Sequence, residues 1–338
     1  MENNNEQNLE KKGIKFSFTK KIASVISFFF LIITLCAIIV IVSLLTAAPS
    51  SKDQTVVIPA GSSVAEIASI LEKQELITSE LVFKIVVLLK GSVLKAGEYA
   101  IPARSTVMQA AQIIHDGKTV PRFITIPEGL TVTEIYRIID NAPVLTGELS
   151  IESQEGELLP ETYRYDFGDS KDSIVKRMKA DMNRKISGLW EKRDTAIPVK
   201  SIQEAVILAS IVEKETGFAA ERNRVAGVFH NRLKKGMPLQ SDPTVIYAIT
   251  KGQGAMEKAL LRSDLSVASP FNTYMVAGLP PHPICNPGEL SLKAVLNPEE
   301  HGFLYFVADG SGGHAFATTL EEHNRNVAEW RKINARQQ

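Results

Sequence analysis

Ser201-Ile-Gln-Glu-Ala-Val-Ile-Leu-Ala-Ser-Ile-Val-Glu-Lys-Glu-Thr216 decides how the C-terminal half of this chain must fold. Ser201 stands three residues before Glu204, the signature of a helix-opening cap. From Ala205 to Val212 the helix is apolar on nearly every side, and a helix without a polar face sits inside a core. Glu213-Lys-Glu-Thr216 closes it, and Gly217 breaks it. A carboxyl held there against apolar walls has its charged form disfavoured, so its pKa rises. A raised carboxyl suits proton transfer near neutral pH. Glu213 and Glu215 stand at i and i+2, point to different faces and do not pair. The expectation is that one faces a site and the other faces solvent. The pattern alone reads more simply as two ordinary solvated helix-end carboxylates.

Elements suited to surround such a helix follow on both sides. Leu158-Leu-Pro-Glu-Thr-Tyr-Arg-Tyr165 opens the domain, and an amphipathic helix runs from about Ser173 to Leu189. After Gly217 a helix spans Ala219 to Lys235 and stops at Gly236. Asp242-Pro243 reads as N-cap and first residue of a short helix through Ile249. Residues 278–288 carry four prolines and form a stiff loop. Phe303–Ala308 and His314–Thr318 are strands joined by the Asp309–Gly313 turn, and Thr319 with Glu322 caps a last helix. The class is α+β.

Upstream, residues 143–157 read as a linker, and before it one pattern occurs three times. The copies start at Ile58-Pro-Ala-Gly, Ile101-Pro-Ala-Arg and Ile126-Pro-Glu-Gly. Each reads as a strand end, a turn from Pro and a helix opened by a capping box: Ser63/Glu66, Thr106/Gln109 and Thr131/Glu134. Strand–turn–helix with this turn resembles the LysM module, which binds N-acetylglucosamine-containing glycans. The expectation is a LysM-like domain over 50–140 and a mixed α+β catalytic domain over 158–338, with a plain spacer as the other reading of 50–140.

Between Lys21 and Lys52 there is no charged residue. Ile22–Ala48 would span about 40 Å as a helix, too long for a signal peptide and enough for a retained transmembrane anchor. Five lysines (11, 12, 15, 20 and 21) precede it and only Lys52 follows closely. That asymmetry predicts a cytoplasmic tail over 1–21, an anchor over 22–48 and everything beyond outside the cytoplasm.

Composition excludes several functions. The 338 residues carry 38 Lys+Arg and 38 Asp+Glu, so there is no basic excess for a nucleic acid. Cys36 and Cys285 make neither a disulfide framework nor a zinc site, and Cys36 in lipid cannot reach Cys285. The six histidines have no metal-ligand spacing, and no Gly-x-Ser-x-Gly elbow is present. No cofactor or metal is expected. Leu239–Tyr247 places Gln240, Ser241, Asp242 and Tyr247 near a helix start, groups suited to holding sugars. Plain capping by Asp242 explains Asp242-Pro243 without any ligand. Ser269-Pro-Phe-Asn-Thr-Tyr274 adds Asn272 and Tyr274, with a structural turn as the equal alternative.

Ile211-Val-Glu-Lys-Glu-Thr216, Leu239–Tyr247, Asn272-Thr-Tyr274, Gly278-Leu-Pro-Pro281 and Tyr305–Gly310 with His314 resemble the YceG-like endolytic murein transglycosylases (MltG). The resemblance is specific over 158–330 and loose over 50–140. It implies a single-pass inner-membrane enzyme that cleaves nascent peptidoglycan strands within the chain, with peptidoglycan synthases as candidate partners. It also implies that the second glutamate, Glu215, is catalytic. Phe271, His282 and Glu161 depart from the family's usual Tyr, Gly and Asp. Candidate substrate contacts are Gln240, Ser241, Asp242, Tyr247, Asn272, Tyr274, Glu161 and Tyr163. The implied chemistry needs one carboxyl that first donates and then accepts a proton, leaving a 1,6-anhydro end. Two other readings remain: a water-using muramidase with Asp242 or Glu161 as second carboxylate, and a non-catalytic peptidoglycan-binding scaffold.

Overall fold

The structure, a computed structural model, describes residues 24–42, 44–256 and 258–337. The expected tail over 1–21, with its five lysines, and the start of the anchor lie outside the described residues. Ser24–Val42 forms helix α1. Its 19 residues span about 28 Å, close to a bilayer's hydrocarbon thickness. None of its apolar surface is buried against the rest of the chain, unlike the core helix of a soluble domain.

The chain divides into two compact units, one through Val120 and one from Pro121. In the first, β1 (Gln54–Ile58) pairs antiparallel with β2 (Gly97–Ile101), and α2 (Val64–Lys73) and α3 (Glu80–Lys90) lie between them in sequence. α4 (Val107–Asp116) follows. Val56, Leu71, Phe83, Tyr99 and Ile114 are buried together in its core. Gly97 has φ +143, and a Cβ there would come within 2.7 Å of the Thr119 methyl, so no other residue fits.

The second unit begins with β3 (Arg122–Thr125) and α5 (Val132–Asp140). β3 pairs antiparallel with β4 (Thr162–Tyr165), Ile124 opposite Tyr163. α6 (Lys171–Trp190) packs its Ile174, Val175 and Met178 with Ile135, Ile139, Tyr163 and Tyr165. α7 (Ile202–Glu215) is fully buried from Ala205 to Val212, as its all-apolar sequence requires. Around it stand α6, α8 (Arg222–Lys234), α9 (Asp242–Thr250) and α10 (Glu289–Leu296). The hairpin β5 (Tyr305–Ala308) and β6 (His314–Ala317) follows, then α11 (Leu320–Gln337).

All three capping boxes form as the sequence indicates. The three copies do not build three like modules, however. The strand of the first pairs with that of the second, while the strand of the third pairs with β4. The expected boundary near 140–158 therefore moves to Val120/Pro121, because the third copy's Ile124, Ile126, Ile135 and Ile139 pack with β4 and α6. Two helices escaped the sequence reading. α3 is a run of Val, Ile and Leu that serves a strand equally well. α10 is short and follows a proline loop.

Candidate active site

Glu215 is the last residue of α7, with Thr216 beyond it already in extended backbone. The buried body of α7 anchors that end against the core, so the carboxyl is held by a rigid element. Burial raises the Glu215 carboxyl to about 7. The Ser241 hydroxyl opposes the rise, the Asp242 charge adds to it, and His314 and Arg232 oppose it. Ser241 Oγ donates to Glu215 Oε1 at 2.5 Å.

Ser241 is itself fully buried and precisely held. Its N–H donates to Thr273 Oγ1 at 3.0 Å, and its carbonyl accepts from Thr244 Oγ1 at 2.6 Å. Ser241, not Asp242 as the sequence suggested, is the N-cap of α9, and it makes no side-chain cap bond. Its hydroxyl is spent on Glu215 instead, which is why a residue type that normally caps does not. The preceding Gln240 has φ +51, a left-handed conformation that is strained for a non-glycine residue. The Gln240 N–H donates to the Thr273 carbonyl and Gln240 Oε1 accepts from Arg232 Nη1, which together hold it there.

Asp242 and Tyr274 complete this wall: the phenol donates to Asp242 Oδ1 at 2.6 Å. Burial and Asp242 push the Tyr274 phenol well above its usual range. Arg232, buried in α8, reaches the carbonyls of Leu304 and Leu239 and stacks over Tyr305 at 5.2 Å. Glu221 accepts from His314 at both its N–H and ring Nδ1. Arg232 reaches the site from α8, and the Glu221–His314 contact ties the β5–β6 hairpin to the residue that precedes α8. Neither Arg232 nor Glu221 was singled out from the sequence, since no spacing links residues of such different elements.

Not every expected contact gathers here. Asn272 is fully buried, and its amide is used up on the carbonyls of Leu265 and Val267 and the N–H of Tyr274. It shapes the loop that carries Tyr274. Tyr163 is 5 % exposed in the β4 core, its hydroxyl donating to the Leu159 carbonyl. Glu161 lines a groove with Arg177, Arg184 and Asp181. Tyr247 packs on Phe271 at 5.0 Å and His282 at 5.7 Å. It lines a cavity of about 400 Å³ with Pro243 and Lys214, the sequence neighbours of Asp242 and Glu215.

Glu213 corrects the expectation that the partner glutamate faces solvent. Its side chain is 6 % exposed and lies 3.4 Å from the guanidinium of Arg222, itself 7 % exposed. Its other oxygen accepts from the Gly288 N–H at 2.9 Å, at the start of α10. The i, i+2 spacing does turn it from Glu215, but into a second buried contact.

The site therefore offers one raised carboxyl, a hydroxyl bonded to it, a phenol–carboxylate pair and the nearby Arg232 guanidinium. A carboxyl raised into this range is suited to proton transfer, and it stands at the end of a buried helix in an α+β domain. The YceG-like family model matches residues 56–329. The endolytic murein transglycosylase of Bacillus subtilis (strain 168) is 35% identical over 301 residues, which cover 79% of this chain and 82% of that protein. The endolytic murein transglycosylase of Streptococcus pneumoniae serotype 2 is 31% identical over 327 residues, and the match takes in 83% of this chain but 59% of that longer protein. The crystal structure of a YceG-like protein from Listeria monocytogenes superposes with a TM-score of 0.50 at 33% identity, covering 82% of this chain and 99% of that one. This chain belongs to the YceG-like family.

Two buried carboxyls give the stability a testable pH dependence. Glu215 and Glu155 are each raised to about 7, chiefly by burial. A carboxyl raised in the folded state stabilises fully below its unfolded value of about 4.5, and that stability is lost as pH rises through about 7. The Tm of the wild type should therefore fall between pH 5 and pH 8. Glu215→Gln, a permanently neutral mimic, should match wild type near pH 5 and melt a few degrees higher at pH 8. Equal pH slopes for the two proteins in thermal melts would contradict this origin.

Proposed function

We propose that this chain is a lytic transglycosylase that cuts peptidoglycan glycan strands internally, with Glu215 as both acid and base. The observation that carries the reading is the Glu215 carboxyl, raised to about 7 and bonded to a buried serine. Protonated, Glu215 gives its proton to the oxygen linking N-acetylmuramic acid to N-acetylglucosamine, and that bond breaks. The resulting carboxylate takes the proton of the muramyl C6 hydroxyl, whose oxygen bonds to C1. The products are a new N-acetylglucosamine end and a 1,6-anhydro muramyl end, with no water consumed and the carboxyl regenerated. A pKa near neutrality suits a group that must both give and take a proton. Ser241 steadies the carboxylate form, and Tyr274 with Asp242 supplies polar groups for the sugars.

The water-using alternative needs a second carboxylate acting as nucleophile or base. Asp242 is engaged by the Tyr274 phenol, and Glu161 belongs to a different groove. Both facts favour the single-carboxyl route. Mass analysis of the sugar ends released from purified glycan strands separates the readings: anhydro ends support it, reducing ends point to hydrolysis, and intact strands to a scaffold.

The first unit is proposed as a LysM-like glycan-holding domain. Support comes from its strand–turn–helix geometry and from a groove of about 490 Å³ beside Pro59–Ser62 and α2. α1 is proposed as a single inner-membrane span with a cytoplasmic N-terminus, which puts the second unit on the side where peptidoglycan lies and near its synthases. A reporter enzyme fused after Gln338 should be active only outside the cytoplasm. Cytoplasmic activity would reverse the orientation.

A further inference from the structure

Away from Glu215, a groove of about 620 Å³ lies between β4 and the outer face of α6. Arg177, Asp181, Arg184 and Gly188 succeed one another at helical spacing on α6, and Lys192 follows in the turn just past its end, so they form one stripe about 20 Å long. Arg164 of β4 and Lys185 add to the same lining. Glu161 and Asp181 are the acidic members, so five cations face two carboxylates.

Part of that charge is already matched. Arg184 pairs with Asp181, Lys185 pairs with Glu289 at 2.6 Å, and Arg164 pairs with Asp166 at 3.3 Å. Arg177 spends one nitrogen on the Arg164 carbonyl at 2.6 Å and forms no ion pair among the described residues. Neither does Lys192, which is exposed. Arg177 and Lys192 are thus left on one stripe with only the Glu161 carboxylate to offset them, a surplus of one positive charge that an acidic ligand can meet.

The strand side adds amide groups. β4 is an edge strand, bonded to β3 alone in a two-stranded sheet. The Ile126 N–H donates to the Glu161 carbonyl, so in the antiparallel alternation the Ile124–Tyr163 pair is also hydrogen-bonded. Thr162 and Arg164 then turn their backbone groups away from β3, and Arg177 reaches the Arg164 carbonyl on that side. Close contact of the Thr125 and Thr162 hydroxyls, at 2.9 Å, fits a non-hydrogen-bonded pair. The groove therefore combines guanidinium forks, an ammonium, two carboxylates and the outward-facing backbone of Thr162. Forks bind carboxylates in bidentate fashion, and amide groups bind peptide bonds.

We infer that this groove holds the acidic peptide chains carried by the muramyl residues of the glycan strand. The inference rests on the peptidoglycan reading above and extends it from the sugars to the peptides. A membrane of anionic lipid is the less suitable occupant. The cations line a concavity and are interleaved with carboxylates, whereas a lipid surface suits an open and purely basic face.

The test is equilibrium binding by the full chain in detergent micelles, carrying Glu215→Gln so that strands stay uncut. The probes are uncross-linked glycan strands with their peptides, the same strands stripped of peptides by an amidase, and phosphatidylglycerol vesicles. Peptide-bearing strands should bind about tenfold or more tightly than stripped ones, with a stronger salt dependence. Arg177→Gln with Lys192→Gln should erase that difference and leave binding to stripped strands unchanged. Lys192→Glu alone, at an exposed position that folding does not need, should weaken peptide-dependent binding several-fold. Equal binding to both kinds of strand, or variants that bind like the parent, would overturn the inference. So would loss confined to vesicles. Absence of cleavage by the wild type with the peptide preference intact would sink the catalytic reading and leave the groove standing.

Discussion

Replacing Glu215 by Gln is expected to lower strand cleavage by about 10⁴-fold, the upper end for loss of a general acid–base group. The size follows from the count of carboxyls: one group makes both proton transfers, so both steps lose their catalyst. Gln keeps the shape and can still accept from Ser241 Oγ, which now sits 2.5 Å from Glu215 Oε1. The buried Ala205–Val212 body of α7 is untouched, so the fold should persist, as thermal melts and circular dichroism can show. The wild-type rate should fall on the alkaline side of a limb near pH 7, where the Glu215 proton is lost. Strand length and sugar ends read by mass spectrometry give the rate directly. Near-normal cleavage by the variant would remove Glu215 from the chemistry.

The second large effect is on stability. Glu213→Gln should destabilise the protein by about 3–5 kcal/mol, because it strips a buried guanidinium of its partner. Arg222 is 7 % exposed, and its Nε has no hydrogen-bond partner among the described residues. In a domain of this size such a loss lowers Tm by roughly 10 °C. Glu128 lies in the same field: burial raises its carboxyl, Glu213 raises it further and Arg222 opposes. Cleavage per folded molecule should change little, since Glu213 points to Arg222 and Gly288 rather than to Ser241. The contrast is sharp enough to assign the two glutamates. Near pH 5 the Glu215 variant melts like wild type and loses activity, while the Glu213 variant loses stability and keeps its activity. Replacing Glu213 and Arg222 together by Met should recover part of the stability, because no charge is then left buried alone. A Glu213→Gln protein as stable as wild type would show that the pair contributes nothing.

Much of this was local in origin and so readable in the chain. The three capping boxes lie within four residues each and formed as written. The burial of α7 followed from its lack of a polar face, and α1 from an uncharged apolar run. Glu215 was legible as a carboxyl at the mouth of a core. Its family resemblance singled it out from Glu213, because spacing separates the two faces without naming either.

What tertiary structure alone decided is where distant residues meet. The fate of Glu213 depended on Arg222 arriving from α8 and Gly288 from the start of α10. The role of Ser241 depended on Glu215 standing within reach and taking the hydroxyl that would otherwise cap α9. Asn272 and Tyr163 are residue types that bind sugars, but their polar atoms found carbonyls in the interior. The third strand–helix copy looked like its two predecessors, yet its strand paired with β4 across the helix between them. Caps and hydrophobic periodicity act over a few residues and are set by the chain itself. Ion pairs, strand partners and the groups around a buried carboxyl are set by packing between elements far apart in sequence, where composition and spacing carry no record of the neighbour.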